Sequence, residues 1–257
     1  VYKRQIEWHE RYILRNEDNK LILGRGLTGD VIIDIDKTPH ILIGGNTGSG
    51  KSVLVQCLLW QAIQQADVVY VADFKGGVDF SYVWQEFAYI ITEETKLLVL
   101  LNHLADTLEE RKRLFKKVDA ANITEYREKS GDYMQRIVFA CDEVAELLDK
   151  TGADKARKEL LAQIEARLAL IARQGRAFGI HLILATQRPD ANILPGQIKN
   201  NMNIRICGRA DTTLSTIIIG DGRAAEQIPH DAQGRFIMED GTVFQAYYFS
   251  DDTISTW

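Results

Sequence analysis

Between Gly45 and Ser52 the sequence reads Gly-Asn46-Thr47-Gly48-Ser49-Gly50-Lys51-Ser, which sets three glycines, a lysine and a hydroxyl in the spacing G-x-x-x-x-G-K-[ST]. Glycine tolerates the positive φ that turns successive backbone N–H groups inward, so such a loop can cradle phosphate oxygens, helped by the N-terminus of a following helix. Lys51 would then grip the β- and γ-phosphates of ATP and Ser52 would ligate Mg2+, with Val53 closing the nucleotide-contacting run. The alternative is a glycine-rich turn that happens to spell the pattern. An apolar strand before it, His40–Ile43, and a helical Ser52–Gln65 after it weigh against that turn.

A second group of chemically competent residues follows Ile137-Val138-Phe139-Ala140-Cys141, an apolar run that ends abruptly in Asp142-Glu143. In P-loop enzymes the first carboxylate of such a pair holds the magnesium shell and the second can polarise the attacking water. Alone, the pair is equally good chemistry for a helix N-terminus. His181–Ala185, another buried strand, ends in Thr186-Gln187-Arg188-Pro189, and a polar side chain at that edge can sense a γ-phosphate. Gln187 is the candidate, set against a role in satisfying loop backbone. Asp73-Phe74-Lys75-Gly76-Gly77 occupies the same kind of edge, where open α/β sheets place ligands, unless it is a turn with a solvated ion pair. His181 has no partner at metal-like spacing and reads as a structural histidine.

These groups need a scaffold, and the spacing of apolar runs supplies one. Short strands are expected at Leu21–Leu23 and Val31–Ile35 around the glycine-rich Gly24–Asp30, then at His40–Ile43, Val68–Ala72 and Tyr89–Ile91. A helix runs from Glu93 to about Lys117, with Leu97, Leu101, Leu104 and Leu108 on one stripe, and another covers Lys155–Gln174. Asn203–Cys207, Gly234–Met238 and Val243–Phe249 are the last strands, the final two joined by the hairpin signal Glu239-Asp240-Gly241. Alternation of buried strands with helices predicts an α/β fold with a mostly parallel central sheet, flanked by helices and closed by a C-terminal β-hairpin. Residues 1–36 read as a lead-in and 37–257 as the nucleotide-binding domain.

At 257 residues, 46% of them apolar, the chain can bury a sizeable core. No apolar run approaches the roughly 18–20 residues of a membrane span, and no signal peptide opens the chain. Because it begins at Val1 without Met, it is expected to be a cytoplasmic domain cut from a longer, membrane-associated parent. Cys57, Cys141 and Cys207 show no metal or redox spacing, which fits a reducing compartment. The net charge of −5 gives no global sign of a nucleic-acid partner, so a polymer must be held locally. Arg111, Lys112, Arg113, Lys116 and Lys117 form the densest basic run, either a phosphate-binding surface or a solvated helix face.

The chain resembles the FtsK/SpoIIIE motor ATPases of the FtsK–HerA group. The resemblance rests on Pro39–Ser52, Asp73-Phe74-Lys75, Leu108-Glu109-Glu110-Arg111-Lys112-Arg113 with Asn122-Ile123 and Tyr126, Asp142-Glu143, and Gly179-Ile180-His181-Leu182-Ile183-Leu184-Ala185-Thr186-Gln187-Arg188-Pro189. It implies a RecA-like fold and a homo-oligomeric, hexameric ring that hydrolyses ATP at its interfaces and drives a polymer through a central channel. Within the family, Ala191–Asn201 and Asp231–Phe236 look most like the motors of integrative and conjugative elements, which implies double-stranded DNA as cargo and relaxase or secretion components as partners. Two departures stand out. Where the family commonly carries Asp-Ser-Arg, this chain reads Leu214-Ser215-Thr216, so an arginine acting in trans is sought in Arg205 or Arg209. The chain also stops at Trp257, without the winged-helix reader of chromosome-segregating members, so sequence-directed loading is not expected. A type VII-like protein-export motor is the alternative, since those ATPases share the fold and often a similar Asp-Phe-Lys-Gly-Gly. A regulatory subunit without turnover is a third reading, disfavoured by the intact Lys51, Ser52, Asp142 and Glu143.

Overall fold

Eleven strands form one sheet in the computed structural model, which describes residues 5–14, 17, 19–76, 79–187 and 194–255. Gly77, the Arg188-Pro189 pair and the first residues of the Ala191–Asn201 segment lie outside the described residues. In chain order the elements are β1 (Ile6–Glu7), β2 (Lys20–Gly26), β3 (Asp30–Asp34), β4 (His40–Gly44), α1 (Lys51–Gln64), β5 (Val68–Ala72), β6 (Tyr89–Ile91), α2 (Glu94–Lys117), α3 (Ile123–Ser130), β7 (Ile137–Cys141), α4 (Val144–Leu148) and α5 (Lys155–Gln174). There follow β8 (Ile180–Thr186), α6 (Gly196–Lys199), β9 (Ile204–Cys207), α7 (Thr212–Ile219), α8 (Arg223–Gln227), β10 (Arg235–Met238), β11 (Val243–Tyr248) and α9 (Asp251–Ser255).

The sheet order is β3-β2-β11-β10-β9-β4-β8-β7-β5-β6, with β1 added beside the end of β11. From β9 to β6 every pairing is parallel; β10, β11, β2 and β3 continue the sheet antiparallel. This is the expected mostly parallel architecture with its C-terminal hairpin. The parallel strands are apolar throughout because both of their faces are covered. Successive residues point to opposite sides: Ile41, Ile43, Val138, Ala140, Ile183 and Ala185 pack on the α1 side, while Leu42, Phe139, Leu182 and Leu184 pack with leucines of α2 and α5. One core therefore lies on each side of the sheet. Gly44, the last residue of β4, leaves no room for a side chain, since a Cβ there would sit 2.3 Å from Ile218 of α7.

The parallel strands fix where chemistry can occur. β4, β5, β7, β8 and β9 all point the same way, so their C-terminal ends, after Gly44, Ala72, Cys141, Thr186 and Cys207, form one edge. At the opposite edge, His40 and His181 are buried in the β4–β8 pair. His40 Nδ1 accepts the Leu182 N–H at 3.0 Å, and His181 Nδ1 is 3.2 Å from the Pro39 carbonyl. Burial pushes both imidazoles down to about 3, so they are neutral structural groups, as expected of His181.

Several short helices went unrecognised in the sequence. The run Leu214–Ile219 is rich in β-branched residues and resembles a strand, but Asp211 Oδ1 accepts the Leu214 N–H at 2.8 Å and Gly220 closes the end at φ 91°. Capping at both ends decides for the helix α7. Among the described residues, no helix is long and apolar enough to cross a membrane.

Candidate active site

The loop after β4 is pinned from three sides. The Gly45 N–H reaches the Thr186 carbonyl at 3.2 Å, Asn46 N–H the Arg209 carbonyl at 2.8 Å, and Gly234 N–H the Ser49 carbonyl at 2.8 Å. Gly48 and Gly50 take φ of 76° and 95°, conformations that L side chains rarely adopt. Gly50 leads directly into α1, so the glycine loop and a helix N-terminus face the same space.

Lys51 is only 5% exposed, and Asp142 engages its side chain. Its Nζ donates to Asp142 Oδ1 and to the Asp142 carbonyl, each at 2.9 Å. Ser52 Oγ donates to the other carboxylate oxygen, Oδ2, at 3.1 Å. Thus Asp142, at the end of β7, meets Lys51 and Ser52, at the start of α1, as the sequence assignment of Ser52 and Asp142 to one metal shell requires. Burial alone would raise the Asp142 carboxyl, but Lys51 and the nearby Lys75 outweigh it and hold Asp142 at about 2. Two hard oxygen donors beside a phosphate cradle suit Mg2+, which takes few protein ligands and completes its octahedron with phosphate and water.

Glu143 is buried next to Asp142, and its two oxygens are turned toward β8. Oε1 accepts the Thr186 hydroxyl at 2.6 Å, and Oε2 accepts the Gln187 N–H at 3.0 Å. Burial pushes its carboxyl above the ordinary glutamate value, against the pull of Thr186 and Lys51. A buried carboxylate whose proton affinity is raised in this way has the character of a general base. The Gln187 side chain accepts the Thr47 hydroxyl at 2.8 Å, so it spans from Glu143 to the tip of the P-loop. The Gln187 side chain thus lies on the P-loop, while its N–H lies on the neighbouring carboxylate.

The two arginines sought for a trans role turn inward to their own chain. Arg209 donates to the Thr47 carbonyl at 2.7 Å and to the His230 carbonyl at 2.5 Å, which makes it a clasp on its own P-loop. Arg205 donates to the carbonyls of Met202 and Lys199 and faces Glu239 at 3.6 Å. The basic run also needs correction. Arg111 is 7% exposed, with its guanidinium on the carbonyls of Phe178 and Gln135 at 2.5 and 2.7 Å, so it belongs to the fold and not to a surface. Lys112 is tied to Glu109 and Gln174; Arg113, Lys116 and Lys117 are exposed.

Sequence reasoning left three contributors out of the site. Lys75 Nζ lies 2.5 Å from Asp142 Oδ2 and 3.3 Å from Asp79 Oδ2, so the Asp73-Phe74-Lys75 turn faces the site and is not a solvated ion pair. Thr186 holds Glu143. A cleft of about 90 Å³ beside the start of α1 is lined by Gly50, Val53, Gln233, Gly234, Gln245 and Tyr248. The Phe74-Lys75 string and the Thr186-Gln187 string were signals for the first two; the cleft joins residues almost 200 positions apart, from Gly50 to Tyr248, and had none.

A family profile described as FtsK/SpoIIIE family matches residues 4–191. Among curated proteins, the DNA translocase FtsK of Campylobacter jejuni is 30% identical over 241 residues, covering 89% of this chain and 24% of the relative. FtsK of Treponema pallidum is 32% identical over 221 residues, covering 81% and 26%. The chain thus spans about a quarter of the length of these relatives. Among solved structures, the pCW3 conjugation coupling protein TcpA, in monomer form with ATPγS, superposes with a TM-score of 0.92 at 40% identity, covering 98% of this chain and 72% of TcpA. The cytoplasmic domain of the Thermomonospora curvata type VII secretion ATPase EccC gives 0.72 at 25% identity, covering 97% and 30%.

Proposed function

The chain belongs to the FtsK/SpoIIIE family, and on that footing we propose that it is the ATP-hydrolysing motor domain of a translocase that drives double-stranded DNA through a homo-oligomeric, hexameric ring, in conjugative transfer or in partitioning of a chromosome or plasmid. The observation that carries this reading is the 40% identity to TcpA across 98% of the chain. The motor unit is assigned to residues 37–257, with 1–36 a lead-in whose strands extend the same sheet, and relaxase or secretion components are the partners expected of a conjugative motor.

In this reading Lys51 leaves Asp142 for the β- and γ-phosphates when ATP enters the Gly45–Val53 cradle. Ser52 and Asp142 would hold Mg2+, whose charge would offset that of the phosphates. Glu143 orients and deprotonates the attacking water, while Gln187 couples Glu143 to Thr47 at the loop tip. Arg209 answers phosphate charge from the same chain, and the cleft beside Val53 receives the base. Catalysis is then mostly positioning and charge stabilisation. DNA would be held through its phosphates by a few exposed cations, Arg113, Lys116 and Lys117 among them, which carry no sequence information.

The test is ATP hydrolysis by the assembled ring with and without random-sequence duplex at low salt. Stimulation that fades as salt rises is expected, because binding through Z phosphates weakens with a log–log slope near −0.9Z. The likeness to EccC supports a second reading, protein export, and stimulation by a secretion-signal peptide with none by any duplex would favour it.

A further inference from the structure

Asp142 carries one more cation than a nucleotide site requires. Lys51 occupies its Oδ1, and Lys75 occupies its Oδ2 at 2.5 Å, the same oxygen that Ser52 Oγ approaches at 3.1 Å. The ammonium of Lys75 therefore lies on the oxygen where Ser52 and Asp142 would meet a divalent cation. Mg2+ binds carboxylate oxygen at about 2.0–2.1 Å and tolerates little distortion of its octahedron. Mg2+ on the same buried oxygen would face the Lys75 ammonium at about 4 Å, where two cations with little water between them repel strongly, so metal binding favours departure of Lys75.

The surroundings give Lys75 both an anchor and an exit. The Lys75 N–H donates to Asp73 Oδ1 at 2.9 Å, which bends the chain after β5 so that the side chain returns over the sheet edge. Asp79 Oδ2, at 3.3 Å, is a second acceptor already within reach, and the Asp79 carbonyl is held in turn by Gln56 of α1. Lys75 is 29% exposed where Asp142 is 3% exposed, so it moves toward water when it leaves.

We propose that Lys75 is a positioning residue that holds Asp142 Oδ2 in place of the metal and passes to Asp79 when Mg2+ and nucleotide arrive, so that the Lys75–Asp79 pair reports the state of the metal site. This rests on the assignment of the site to nucleotide. Each metal-binding event must then displace an ion pair, and Asp79 sets how much that displacement costs.

Calorimetric titration of the chain with ADP, with and without Mg2+, tests this; ADP is used because it lacks the γ-phosphate that Lys75 could otherwise contact. In Lys75→Met, the factor by which Mg2+ tightens ADP binding should rise about tenfold, while Mg2+-free ADP binding holds or weakens severalfold from the lost charge. In Asp79→Asn, which removes the charge of the second acceptor, the same factor should fall about threefold, and Lys75→Arg should stay near wild type. A merely structural turn would move Lys75→Met and Asp79→Asn in the same direction, and that result, or an unchanged Mg2+ factor in Lys75→Met, overturns the proposal. Wild-type chain that binds no ADP under either condition overturns the nucleotide assignment as well.

Discussion

Strand β7 has buried cations at both ends, and the two ends satisfy them in different ways. Before its first residue, Arg136 forks onto Asp36 at 2.9 and 2.8 Å, while Arg111 donates to the carbonyls of Gln135 and Phe178. After its last residue, Lys51 and Lys75 divide the single carboxylate of Asp142. Backbone carbonyls are fixed by the sheet that bears them, and a guanidinium fork is rigid, so the first arrangement has one geometry. An ammonium on a flexible stem beside a glycine loop can exchange a carboxylate for a phosphate, so the second has at least two. Buried charge thus serves the fold at one end of the strand and is available to a ligand at the other.

Substitutions at the two ends should separate those roles. Lys51→Ala is expected to lower kcat/KM for ATP about 10³-fold, the scale of losing a preorganised charge at a developing one, while Lys75 still pairs with Asp142 and the melting temperature stays within about 2 °C. A variant that instead unfolds would erase the contrast. Arg136→Met should do the reverse: denaturant unfolding should show a loss of about 3 kcal/mol, the lower end for breaking a buried pair, with the ATP Kd of the folded protein within about twofold of wild type. Weakened ATP binding at unchanged stability would mean that the two ends of β7 are not functionally distinct.

How much of this could be read from the sequence follows from the same difference. The strands that carry the site were legible because burial on both faces leaves nearly continuous apolar runs, and the P-loop and Asp142-Glu143 were legible because their chemistry depends on local spacing. The destination of a charge was not. Arg111 stands in a basic run indistinguishable in composition from the exposed Arg113, Lys116 and Lys117, yet helical phase turns it inward to carbonyls that precede β7 and β8. Lys75 could be read as half of a solvated ion pair within its own Asp73-Phe74-Lys75 turn, whereas Asp142, 67 residues away, becomes its partner only when β5 and β7 pair. Arg209, weighed for a role in trans, donates within its own chain to Thr47, a contact that arises only when the turn after β9 meets the P-loop. Local chemistry was readable; partners fixed by strand order were not.

The central claim is that Glu143 activates water at a site where Lys51, Ser52 and Asp142 hold the nucleotide, and Glu143→Gln tests it most directly. The amide keeps the size of the side chain and can still accept from Thr186 or Gln187, so ATP should bind with a Kd within about threefold of wild type. Turnover should fall about 100-fold or more, the usual scale of losing a general base. Since burial raises the Glu143 carboxyl above the ordinary 4.5 and the base must be ionised, wild-type kcat should fall as pH drops through a value above 4.5, and the variant should lose that limb. Unaltered turnover in Glu143→Gln, with the acid limb intact, would contradict the account.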